Sequence, residues 1–134
     1  LICVSEPVPV YFTNTYKTKP SKTFLVSLNW YRNAFYHEQN KVKKYFHDLI
    51  EDQLVGSTIV IPDKYKVSYS YYYKNSASDL ANVTPMCSKW VNDVLQDLNI
   101  VQNDNVKFLV EETHKAVAQD KENPRVTIQI TAVD

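Results

Sequence analysis

A chain of 134 residues in which 44% are hydrophobic suits one globular domain with its own core. Gly56 is the only glycine, so a glycine-rich phosphate loop of the Walker or the dinucleotide type is excluded, and no apolar run reaches bilayer length. The formal net charge is zero, but residues 1–50 carry seven Lys/Arg against three Asp/Glu, while residues 51–134 carry eight against twelve. Such asymmetry fits a basic part that tracks a phosphate backbone and an acidic part that holds a cation; it also fits ordinary surface charge. No signal peptide is visible, and two cysteines, Cys3 and Cys87, make no disulfide framework, which points to a cytoplasmic setting. His37, His47 and His114 are scattered without zinc-ligand spacing.

In chain order, residues 1–22 contain Pro7, Pro9 and Pro20 with many Thr and Lys, and are expected to form an extended N-terminal arm. Residues 23–134 then make a single domain. Thr23–Leu28 is β-branched and aromatic, a strand, with Asn29–Asn33 as its exit. From Ala34 to Leu54 apolar residues recur at helical spacing (Val42, Tyr45, Phe46, Leu49, Ile50), with Lys41, Lys43 and Lys44 mostly on the other side. Residues 57–62 are apolar up to Pro62, an expected edge strand.

Tyr65–Tyr73 alternates cleanly, with Tyr65, Val67, Tyr69, Tyr71 and Tyr73 on one face. Packing on a half-buried sheet explains these tyrosines. Thr84-Pro85 has the chemistry of an N-cap and first helical residue, and Val83, Met86, Cys87, Trp90, Val94, Leu95 and Leu98 form that helix's apolar stripe. Val106–Glu112 and Arg125–Ala132 alternate as two strands, joined as a hairpin through the polar turn Gln119–Pro124. The sum is an α/β (α+β) domain with a small mixed sheet and two main helices.

The stretch Asp79–Asp104 carries the candidate chemistry. Asp79 precedes the second helix and Asp104 follows it. Two carboxylates at element ends can converge on a hard divalent cation, the usual agent of phosphodiester hydrolysis. Asn82, Lys89 and Asp93 share one helical stripe beside the apolar face. In this picture Lys89 meets the scissile phosphate and Asp93 holds its ammonium. The plainer alternatives are a surface ion pair for Lys89–Asp93, a loop end for Asp79 and a turn at Asp104-Asn105.

The order Asp79-Leu80-Ala81-Asn82, then Lys89 and Asp93 four apart, then Asp104-Asn105 before a strand resembles the RusA family of Holliday-junction resolvases, phage-encoded members in particular. Leu28–Ala34 and Asn123–Val126 are similar to phage members as well, so the likeness spans roughly residues 23–132. It implies a homodimeric endonuclease dependent on Mg²⁺ or Mn²⁺ that resolves branched DNA. Asp79 and Asp104 match the family's metal-binding aspartates and Lys89 its catalytic lysine, while Asn82 and Asp93 take supporting places. Arg32, Lys41, Lys43 and Lys44 are the candidate DNA contacts. Ala81 and Ser88 stand where members carry further carboxylates. The alternative expectation is therefore a non-catalytic DNA-junction-binding protein with a degraded metal site. A third is a structural or inhibitor protein that shares only the fold.

Overall fold

The computed structural model describes residues 2–54 and 60–133. Its elements are β1 (Ile2–Pro9), β2 (Tyr11–Asn14), β3 (Lys22–Leu25), α1 (Leu28–Asn33), α2 (Tyr36–Leu54), β4 (Tyr65–Tyr73), α3 (Leu80–Asp97), β5 (Leu109–Gln119) and β6 (Arg125–Ala132). The fold is mixed α+β: a four-stranded sheet in the order β1-β6-β4-β5 and a two-stranded β2-β3 ribbon. Among the described residues, no helix is long and apolar enough to cross a membrane.

β4 is the central element. Tyr65, Val67, Tyr69 and Tyr71 are buried along one face, as their alternation requires. α3 lies over that face and buries Val83, Met86, Cys87, Trp90, Val91, Val94 and Leu95. α2 packs beside it with Val42, Phe46, Ile50 and Leu54 inward, and Phe46 stacks on Trp90 with ring centroids 5.0 Å apart. Rings of this size bury enough apolar area to dominate the core.

α3 has well-formed ends. Asp79 is its N-cap, accepting a hydrogen bond from the Ala81 N–H at 3.1 Å. The cap therefore lies five residues before Thr84. Thr84 is an interior residue whose hydroxyl donates to the Leu80 carbonyl, and Pro85 sits inside the helix rather than at its first position. At the other end Asn99 takes φ 57°, and the Ile100 and Asn99 N–H groups return to the Leu95 and Gln96 carbonyls. Asn fills the left-handed position that glycine takes elsewhere.

Four further expectations change. Residues 1–22 are not an arm outside the domain: β1 pairs antiparallel with β6, and Val8, Val10 and Phe12 are core residues. Asn29–Asn33 is helix α1, capped by Ser27, whose hydroxyl accepts from the Trp30 N–H. β5 begins at Leu109, and its partner is β4, to which it runs parallel. β4 lies between β5 and β6, so Gln119–Pro124 joins two non-adjacent strands rather than a hairpin. Of the segment expected as a strand at 57–62, residues 57–59 lie outside the described residues. Residues 60–62 form no strand, although the Ile61 N–H donates to Ile100 O at 2.6 Å.

Candidate functional site

β4 and α3 run in opposite senses, joined by the loop 74–79. Asp79 therefore sits past the C-terminal end of β4, at the start of α3. Asp104 lies in the turn whose Phe108 carbonyl receives the Tyr65 N–H, at the opposite end of β4. Asp104 is near enough to the Tyr65 phenol to help raise its pKa, and that phenol bonds to Asn92. Asn92 is thirteen residues beyond Asp79, about 20 Å along a helix axis. The expected pair does not converge, and Asp79 and Asp104 do not fit a single Mg²⁺ or Mn²⁺. The physical reason is that they flank the whole length of α3 and not one of its ends.

The residues placed around them have other partners. Lys89 lies over the Tyr31 ring at 4.7 Å and donates to its hydroxyl at 3.4 Å, bracing α1 rather than meeting Asp93. The Asn82 Oδ1 accepts from the Asn29 N–H at 3.0 Å, a second tie between α1 and α3. Asp93 borders a shallow depression with Lys43, His47, Gln96 and Asp97.

A different cluster does converge. Thr84, Ser88 and Asn92 recur every four residues on α3 and are all buried. They meet Glu112 and His114, alternate residues of β5 that pair with Val67 and Tyr69 and so share the covered face. The Glu112 carboxylate accepts from the Ser88 hydroxyl at 2.8 and 2.9 Å and from the Asn92 amide at 3.1 Å. His114 contacts Glu112 through Nε2 at 3.0 Å and Thr84 through Nδ1 at 2.8 Å, and its ring stacks on Tyr69. Tyr65 donates to Asn92 Oδ1 at 2.8 Å. Burial first, then the charges of Asp104 and Glu112, push the Tyr65 phenol well above its ordinary value, so it stays a donor. The polar stripe Thr84-Ser88-Asn92 within an apolar helix face and the strand pair Glu112-x-His114 were the signals that could have revealed this cluster. Among the described residues no group of three His, Cys, Asp or Glu is placed to hold a metal.

A second feature is an open cleft of about 570 Å³ between the β2–β3 connection and the start of α2. Lys19, Lys22, Lys41 and His37 line it together with Tyr16 and Phe35, and Glu38 is its one carboxylate. Of the four expected DNA contacts, only Lys41 lies here. Lys44 is paired with Asp48 at 2.9 Å on the exposed side of α2, Lys43 faces the depression beside Asp93, and Arg32 is exposed at the end of α1. Residue 43 lies roughly 160° from 41 around the helix, whereas 44 is only about 60° away and is drawn off by its pairing with Asp48.

No protein-family model and no curated protein matches this chain.

Proposed function

We propose that this protein binds branched DNA in the manner of a RusA-type junction protein, and that the pair Asp79–Asp104 does not serve as its cation site. One observation carries this reading: the cleft between the β2–β3 connection and α2 gathers three lysines, the exposed Phe35 ring and the half-buried Tyr16 around a single carboxylate. Lysine ammonium groups neutralise phosphates and release counterions, and aromatic faces accept bases. The RusA-like order of residues supplies the branched substrate, and a C₂ homodimer would present two such clefts to a four-way junction. The test is a gel-shift titration of a four-way junction against duplex DNA at rising salt. Preferential, strongly salt-dependent retention of the junction supports the proposal, and equal or absent binding sinks it.

A second reading keeps the endonuclease. Asp104 and Glu112, unlike Asp79, both lie close enough to the Tyr65 phenol to act on it. If the protein nicks junctions with Mg²⁺, these are the carboxylates to test ahead of Asp79. Cleavage lost in Asp104→Asn at an unchanged melting temperature but kept in Asp79→Asn would favour that reading; an inert protein at every Mg²⁺ and Mn²⁺ concentration would remove it.

A further inference from the structure

β5 is an edge of the four-stranded sheet. β4 pairs with one side of it, and among the described residues no strand or other backbone bond reaches residues 110–118 from the other side. At eleven residues it is long for an edge. Every second residue of such a strand leaves its N–H and C=O in solvent, a template for one more strand. The ladder with β4 steps over Val110 and over Val117, so each is a bulge, and residues 111–116 between them pair with β4 without interruption. That run reads Glu-Glu-Thr-His-Lys-Ala. Glu112 and His114 turn beneath α3, so Glu111, Thr113 and Lys115 project from the opposite face, where all three are exposed.

Symmetry restricts how this edge meets a copy of itself. Two antiparallel copies of one strand are related by a two-fold axis perpendicular to the sheet, so one residue faces itself and residues equally spaced on either side of it face each other. A centre at Glu111, Glu112, His114 or Lys115 sets an ionisable side chain against its own copy. A centre at Ala116 puts the Val117 bulge inside the new ladder. Only Thr113 avoids both. About that centre Glu111 faces Lys115 of the second copy on the open face, twice by symmetry, and Glu112 faces its His114 on the covered face. The exposed, bulged valines then fall beside apolar residues, Val110 opposite Ala116 and Val117 opposite Leu109. We propose that β5 docks edge to edge on a second copy of this chain, antiparallel and centred on Thr113, which joins two four-stranded sheets into one. The occupant is a second copy and not a foreign strand because the charges of this edge complement one another under its own two-fold. The assignment stands apart from the DNA-binding reading and gives the homodimer invoked there its contact surface.

The experiment compares the full chain with Glu111→Lys, Lys115→Glu and the double exchange by sedimentation equilibrium, over about a hundredfold range of concentration reaching about 1 mM. These substitutions change exposed side chains only, and matching circular dichroism establishes that the variants fold. The parent should be a dimer at the upper end of the range. Either single change sets like charges opposite each other at two symmetric places and should raise the dissociation constant about tenfold. The double exchange restores opposite charges and should return it to within about threefold of the parent. Thr113→Cys gives a second readout, since a self-facing pair has Cα atoms about 5 Å apart, within disulfide reach. Diamide should link that variant into a covalent dimer. Copies of residue 111 lie about 13 Å apart in this register, so Glu111→Cys should stay unlinked, as the parent should. A parent that is monomeric throughout overturns the proposal. So does a dimer whose affinity neither single change alters, or one that the double exchange fails to restore. Linking through Glu111→Cys and not through Thr113→Cys overturns it as well.

Discussion

Tyr65 on β4 donates its phenolic hydrogen to Asn92 Oδ1 on α3 at 2.8 Å, inside the core and twenty-seven residues away in the chain. Asn92 in turn passes its amide hydrogens to the Ser88 carbonyl and to Glu112. One buried bond thus ties the central strand to the helix above it and to the edge strand β5. Tyr65→Phe removes the donor and leaves the amide oxygen unpaired. It should cost about 1–3 kcal/mol of stability, read from urea unfolding. A loss below a few tenths would mean that Asn92 finds another partner.

Glu112 accepts from Ser88 and Asn92 and contacts His114. In Glu112→Gln one carboxylate oxygen becomes a donor facing groups that are themselves donors. The neighbouring Glu111 is exposed and makes no such bond among the described residues, so it serves as the control. Glu112→Gln should destabilise the fold by about 1–3 kcal/mol more than Glu111→Gln in denaturant titration. Equal effects would show the cluster to be energetically idle.

Asp79 distinguishes a helix cap from a metal ligand. Asn caps as well as Asp, whereas Ala cannot accept the Ala81 N–H. Asp79→Ala should lose about 1 kcal/mol of stability, and Asp79→Asn should lose little and bind junction DNA like the parent. A Mg²⁺-dependent rise in the parent's melting temperature that Asp79→Asn abolishes would restore the residue to a cation site.

Cys87 lies on the covered face of α3, where burial, and secondarily the Glu112 charge, push its thiol up to about 12. At pH 8 its thiolate fraction is on the order of one in ten thousand. Peptide mapping after iodoacetamide treatment should find Cys87 unmodified in the native protein and modified in urea. Rapid native labelling would expose an opening of α3.

Asp120, beyond the end of β5, is held below the usual carboxylate range, first by the Asn123 N–H and then by Arg125, whose Nη1 lies 2.7 Å away. A depressed native value means that its contribution is present above the ordinary carboxylate range and is lost as pH falls through the native value. The melting temperature of Asp120→Asn should therefore converge on that of the parent as pH drops from 5 toward 2. A constant gap across that range would assign the effect to geometry rather than charge.

Elements with a strong local period were legible in the chain itself. The alternation of Tyr65–Tyr73 requires one buried face, and the helical recurrence from Val42 to Ile50 requires α2, because each pattern buries its apolar residues in only one backbone geometry. Cap chemistry was less decisive. Ser27, Asp79 and Thr84 all have capping side chains, and which of them caps depends on where the helix packs and not on residue type. Ser27 begins a six-residue helix that periodicity over so short a span does not register.

Long-range proximity was decided by tertiary structure. Asp79 and Asp104 bracket one helix in sequence, but an 18-residue α3 is a rigid rod, and its length keeps apart what the chain order brings together. The parallel pairing of β5 with β4 turns Glu112 and His114 beneath α3, where Ser88 and Asn92 receive them. Strand order carries no local signature in β5 or β6, since their alternation is the same whether they pair with each other or with β4 between them. The residue types for a packed α+β domain are set by local periodicity, whereas the company each polar side chain keeps is set by which strands the core brings into register.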